Sequence, residues 1–178
     1  AAAGGVGQIF CQWAKSLGVK VIGTVGSDEK VELAKKNGCD EVINYSKENF
    51  AKKVLDITDG KGLSVVYDGV GKSTFEKSLE CLETRGTMVS FGNASGALPP
   101  INVTKMLQPK GLYFIRPSMG QYLGTKNELT EASKMLFEKI ISGKVKVNIF
   151  KKYKLDNVVQ AHTDLENRKI TGPAIITP

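Results

Sequence analysis

AAAGGVGQIFCQWAKSLG, residues 1–18, decides how the rest of this chain is read. Val6, Ile9, Phe10, Trp13, Ala14 and Leu17 recur at spacings of three and four, the mark of one apolar helical face over residues 5–17, and Gly18 ends that helix. In front of the helix stands a glycine-rich turn with nothing ahead of it. A turn needs a strand to turn from, and neither a signal nor a transit peptide precedes this one. The expectation is a cut in a longer polypeptide, with a central strand upstream.

Outward from that turn, strands and helices alternate. Residues 19–25 are a short apolar run suited to a strand buried on both faces, Ser27 caps a helix to Lys36, and Gly38 closes it. The cycle repeats as strand 41–45, helix 47–57, strand 63–68, helix 74–82 and strand 87–91. This alternation predicts an α/β fold, a doubly wound parallel sheet of six strands with helices on both faces. Residues 93–110 interrupt it with three prolines and read as a long loop leaving a strand's carboxyl end, where ligands bind in such folds. A strand resumes at 112–115. Thr125 and Glu128 form a capping-box pattern, and Leu129, Ala132, Leu136 and Ile140 carry the helical face onward. Past Gly143 the pattern predicts a strand VKVNI at 145–149, a helix over 156–168 and a last strand AIIT at 174–177, with no earlier partner in view. The expected division is a nucleotide-binding domain over 1–144 and a return segment over 145–178.

Composition narrows the function classes. Of 178 residues, 41% are apolar and 6 are proline, which excludes a disordered chain. No uncharged apolar window of about 18 residues exists for a membrane span. Cys11, Cys39 and Cys81 lie 28 and 42 residues apart, neither a disulfide framework nor a zinc spacing, and read as reduced thiols of a cytoplasmic protein. The net charge of +7 arises entirely after residue 89, where 13 basic residues face 6 acidic ones. Only three of the 25 basic residues are arginines, and the lysines are scattered singly, so solvated helix faces account for the charge and nucleic acid is not expected as a partner.

Ala2, Gly4 and Gly7 occupy the slots of a G-x-G-x-x-G frame with Ala in the first, and the frame opens an amphipathic helix. That is the context a dinucleotide-binding turn requires. Gly4 permits close backbone approach to a pyrophosphate, and Gly7 permits close helix–strand packing. The N–H groups of Gly5, Val6 and Gly7 face the phosphates from a positive dipole end. At the end of the second family strand, Val25, Gly26 and Ser27 offer no acid for the ribose hydroxyls of NAD. Asp28 and Glu29 fall in the first helical turn, and Lys30 one turn in is placed to meet a 2′-phosphate, so the predicted cofactor is NADPH. Tyr45 either stacks on adenine or bonds that phosphate, or is a plain rim tyrosine.

With these residues assembled, AAAGGVGQIFCQWAKSLG, VIGTVGSDEK, VINY, VVYDGVG, MVSFGNASG, RPS and AHTDLENR stand in the order and spacing of a known family. The chain resembles the zinc-independent, zeta-crystallin-like quinone oxidoreductases of the medium-chain dehydrogenase/reductase superfamily. The resemblance implies a Rossmann fold, NADPH-dependent reduction of a quinone, a cytoplasmic homodimer joined through the sheet-edge strand 112–116, and nicotinamide near Asp68–Gly71 and Phe91–Asn93. Gly69, Phe91, Gly92 and Asn93 are thereby implied as cofactor contacts, with Arg116 in the FIRPS segment and Arg168 on the terminal helix. Whole members carry a barrel-like catalytic domain ahead of the turn, absent from these residues. Gly172–Pro173 stands where a Gly-Lys pair is common.

Other residues read as structural. His162 shares a helical face with Leu155, Val158 and Val159 and is expected to be packed or to contact another domain. Cys11 is expected in the core, and Asp68 is expected to shape a strand-end turn. Without a catalytic domain, Leu155, Val158, Val159 and Leu165 would form an exposed patch. Two alternatives stay open: a stand-alone nucleotide-binding module without catalysis, and an NADPH-dependent enone or enoyl reductase. An S-adenosylmethionine methyltransferase is disfavoured because that fold wants an acid where Val25 and Gly26 stand.

Overall fold

The structure is a computed structural model that describes every residue except Arg168. Elements follow in the order α1 Gly5–Ser16, β1 Ile22–Val25, α2 Glu29–Lys36, β2 Glu41–Asn44, α3 Phe50–Ile57, β3 Leu63–Asp68, α4 Phe75–Glu80 and β4 Leu82–Ser90. Then come α5 Val103–Met106, β5 Tyr113–Ile115, α6 Met119–Tyr122, α7 Lys126–Ile141, β6 Lys151–Lys154, α8 Val158–Glu166 and β7 Ala174–Thr177. The alternation is therefore as expected, and every strand pair is parallel.

Two compact units hold these elements: Ala1–Ser46 with Lys134–Pro178, and Lys47–Ser133. In the first, β1 pairs β2 from Ile22↔Glu41 to Val25↔Asn44. Its core gathers Ala2, Ala3, Cys11, Val21, Val25, Ala34 and Cys39. The residues of α1 that turn inward are Gln8 and Cys11, whereas Val6 is 65% exposed and Leu17 is also exposed. The 3.6-residue period thus located the helix, but small Cys11 and a hydrogen-bonded glutamine supply its buried side. In the second unit β4 lies between β3 and β5. Phe75, Leu79, Leu82 and Met88 form its core, and the Phe75 ring meets Phe114 edge to face at 5.9 Å. Burial along β3 is broken: Val65 and Tyr67 are exposed, so this strand is not covered on both faces.

The expected six-stranded sheet is not confirmed. Among the described residues the strands make sheets of two, three and two. The segment before α1 reaches β1 through Ala2 N, which donates to Thr24 O at 2.9 Å, but it is not itself a strand, and β1 is paired with β2 while β3 is paired with β4.

Two further expectations shift. The strand read at 145–149 lies instead at Lys151–Lys154. The side chain of Gln12 has claimed the backbone at Lys146, donating to its carbonyl at 3.0 Å and accepting from its amide at 2.8 Å, which leaves that stretch outside a ladder. The strand finds its partner in β7, which it meets in parallel with Tyr153 opposite Ile176. The loop at 93–110 also contains α5 and a turn of 3-10 helix at Gln108–Lys110, because Asn102 caps Lys105 N at 3.0 Å. In the tail, Tyr153 donates its hydroxyl to Asp164 at 2.8 Å, and that bond, with those of Gln160 and Lys151, holds the buried Asp164 carboxyl below the usual carboxylate range. Leu155, Val159 and Leu165 are exposed and Val158 half-buried. His162 is exposed as well, so it is not packed within this chain.

Candidate functional site

The glycines of the first turn divide by what the chain demands of them. A Cβ on Gly7 would lie 2.2 Å from Ala1 O and 2.9 Å from Ala2, so packing alone requires glycine there. Gly4 and Gly5 face no such wall: a Cβ would lie 3.5 Å from Ala1 O at Gly4 and 3.7 Å from Pro173 at Gly5, ordinary contact distances. Gly4 also has an unstrained backbone at φ −76°, ψ 169°. Their bareness is therefore free for something outside the chain. Behind them α1 runs 12 residues with no side-chain cap and no acid in its first turn. Its first N–H groups and its positive dipole end stay available for an anion. Gln8, which sequence reasoning missed, supports this geometry: its buried side chain donates to Ala3 O at 2.9 Å and to Thr171 O at 2.7 Å. A lone polar residue beside an apolar helical stripe was the only signal for it.

At the end of β1 the structure brings Gly26, Ser27 and Tyr45 together. A Cβ on Gly26 would stand 2.7 Å from Tyr45 Oη, so the tyrosine lies against that glycine, and Ser46 donates to Gly26 O at 2.8 Å. Asp28 receives Asn44 Nδ2 at 2.7 Å, which commits its carboxylate to β2. No ion pair of Lys30 is present among the described residues. The β1 end thus sets a glycine, a serine and a tyrosine together in one unit with the glycine turn, and Lys30 follows in α2, its backbone N–H donating to Ser27 O at 3.2 Å.

The second unit holds the remaining expected residues at the ends of β3 and β4. Gly92 is glycine by necessity, since a Cβ there would meet Gly69 O at 2.3 Å, while at Gly69 a Cβ would meet the Phe91 ring at 2.7 Å, so that ring lies over the glycine. Phe91 remains 44% exposed. Arg116 spans this corner, its Nη1 donating to Ser90 O at 2.9 Å and to Gly92 O at 3.2 Å. With its amide turned so that Nδ2 faces Gly92 O at 2.9 Å, Asn93 accepts from Arg116 Nη2 at 3.2 Å. Arg116 thus holds the strand end. Asp68 is buried, and its carboxylate accepts from Val70 N, Gly71 N, Thr74 Oγ1 and Ser78 Oγ at 2.8–3.0 Å. It closes the turn into α4, as expected of it. Arg168 lies outside the described residues.

Among the described residues no three of His, Cys, Asp and Glu come together as a metal site, and no helix is long and apolar enough to cross a membrane.

Residues 5–138 match the protein family described as "Zinc-binding dehydrogenase". The chain is 49% identical to Quinone oxidoreductase 1 of Escherichia coli (strain K12), across 100% of this chain and 55% of that protein. It is 43% identical to 2-haloacrylate reductase of Burkholderia sp, across 100% of the chain and 54% of that protein. Among solved structures, that of Escherichia coli quinone oxidoreductase complexed with NADPH superposes with a TM-score of 0.96 at 49% identity, over 100% of this chain and 55% of that one. The chain spans about half the length of the curated relatives it matches.

Proposed function

The chain belongs to the zinc-binding dehydrogenase family, and from that premise we propose that it is the NADPH-binding part of a quinone oxidoreductase. The observation that carries this is the contrast within one turn: Gly7 is imposed by packing, while Gly4 and Gly5 are left bare in front of an uncapped helix. Such a turn fits a pyrophosphate. Val6 contributes only its backbone N–H, since its side chain points into solvent. Gly26 and Ser27 leave room at the β1 end, Tyr45 flanks that room, and Lys30 supplies the charge for a 2′-phosphate. The resemblance assigns Gly69, Phe91, Gly92 and Asn93 to the nicotinamide end, with Arg116 holding their backbone in shape and Arg168 as a further contact. When bound, NADPH supplies the hydride or electrons, and the chain's part is to orient it and keep water out. No residue of this chain is assigned as an acid, base or nucleophile.

Despite the family's name, the donor set does not fit zinc: the three cysteines are buried in separate sequence contexts and His162 is the only histidine. Three free thiols also support a reducing, cytoplasmic setting. Residues 145–178 are proposed as the segment that returns to a catalytic domain, and 1–144 as the cofactor domain. For assembly, β5 pairs on one side only and exposes Tyr113, so residues 112–116 are proposed to meet a second copy edge to edge. A monomeric sedimentation profile at micromolar concentration would overturn that.

Calorimetry of the full chain tests the cofactor: NADPH is expected to bind more tightly than NADH, and equal dissociation constants defeat the reading. The 2-haloacrylate reductase relative favours a second reading, reduction of an electron-poor alkene. NADPH oxidation assays with quinones and enones side by side separate the two.

A further inference from the structure

Cys11 on α1 and Cys39 in the turn before β2 are 28 residues apart in sequence, yet their sulfurs stand 3.5 Å apart, with Cys39 donating to Cys11. The approach is built by two glycines. A Cβ on Gly23 would lie 2.5 Å from Cys39 Sγ, so only glycine leaves space for that sulfur. Gly38, at φ +98°, lets the turn come so near α1 that its own Cβ would stand 3.1 Å from Cys11 O. Cys11 and Cys39 are buried, 3% and 6% exposed, and a cleft of about 420 Å³ is lined by residues next to them in the chain. Gln12, Lys15, Asn37, Gly38, Lys144 and Lys146 are among its lining residues, and Gln12 and Gly38 are the chain neighbours of the two cysteines. The buried Nδ2 of Asn37 has no acceptor. The cleft is thus lined by several donors and lysines. The hydrogen bond from Cys39 pulls the Cys11 thiol down from its ordinary pKa, against the effect of burial, and pushes Cys39 up. A thiol that accepts a hydrogen bond from a second thiol at 3.5 Å gains thiolate character and has its disulfide partner already in place.

We propose that Cys11 and Cys39 form a peroxide-sensitive dithiol that closes to a disulfide, with Cys11 as the attacking sulfur. The Cys11 thiolate takes one oxygen of hydrogen peroxide, the O–O bond breaks, and the departing hydroxide leaves as water once protonated, giving a sulfenic acid. The Cys39 sulfur, giving up its proton, then displaces the second hydroxide from Cys11, which also leaves as water. Two thiols are oxidised and one peroxide is reduced to two waters. The bond ties α1 to the turn before β2 inside one unit. Cys81 serves as the internal control, because it is buried, donates to the Lys77 carbonyl at 3.2 Å rather than to a thiol, and burial raises its thiol to about 12.

The test exposes the folded full chain to hydrogen peroxide, blocks remaining thiols after unfolding, and maps peptides without reduction. The expected result is a peptide pair joining Cys11 to Cys39, the loss of two hydrogens from the intact mass, and Cys81 alone still blocked. Cys39→Ser is expected to abolish the pair and leave one added oxygen on Cys11, and Cys81→Ser is expected to leave the pair unchanged. Recovery of both thiols unlinked, further oxygen addition to Cys11 in the native chain without linkage, or equal linkage through Cys81 overturns the proposal. The native-chain map decides it even if a variant does not fold.

Discussion

The tripeptide Gly-Val-Gly occurs twice in this chain, at residues 5–7, where it opens α1, and at 69–71, between β3 and α4, and the two places treat their backbone donors in opposite ways. The second turn brings its own anion: Asp68 sits ahead of it and takes the N–H groups of Val70 and Gly71 together with two hydroxyls from α4 and its cap. The first turn has alanines in that place, and α1 opens with no acid and no cap. The closed turn carries a carboxylate that the open helix end lacks. Where the chain supplies the negative charge, the turn is structural, and where it does not, the helix end fits the phosphates proposed for it.

The contrast can be broken from either side. The largest effect is expected for Asp68→Ala, which leaves buried donors without an acceptor and should cost about 3 kcal/mol or more in chemical denaturation. An unchanged denaturation midpoint would mean that the second turn does not depend on its carboxylate. Gly7→Ala comes next: the new methyl meets backbone at 2.2 Å, which cannot give as a flexible side chain would, so a loss of about 2 kcal/mol is expected. Lys30→Ala should leave stability alone and weaken NADPH about tenfold, roughly 1.4 kcal/mol, while NADH affinity stays put in calorimetry. The smallest stability effect belongs to Gly4→Ala, below about 1 kcal/mol, because that position is open and its φ suits alanine. The same substitution should still weaken NADPH, and intact affinity would show that nothing approaches the turn at Gly4.

Much of this was legible beforehand because it is local. The alternation of periods placed α1, α2, α3 and β3 within a few residues, and the acid-free end at Gly26 and Ser27 could be read directly. The misreadings have a common cause in contacts between distant residues. VKVNI has strand character, but Gln12, 134 residues away in sequence, takes the backbone at Lys146 and moves pairing on to Lys151–Lys154. The bonds that Arg116 makes to Ser90 and Gly92, more than twenty residues away, were likewise not announced by the sequence. Nothing in the spacing of Cys11 and Cys39 announces that their sulfurs meet.

The sequence by itself determined the parallel α/β alternation, the glycine turn at the head of α1 and the lack of an acid after β1, since period, residue type and adjacency act over a few residues. Only the tertiary structure decided which glycines are forced and which are free, which four donors Asp68 takes in closing its turn, and that the sulfurs of two cysteines meet. Those outcomes depend on which atoms come within van der Waals or hydrogen-bond distance, and that distance is set by the packing of segments far apart along the chain.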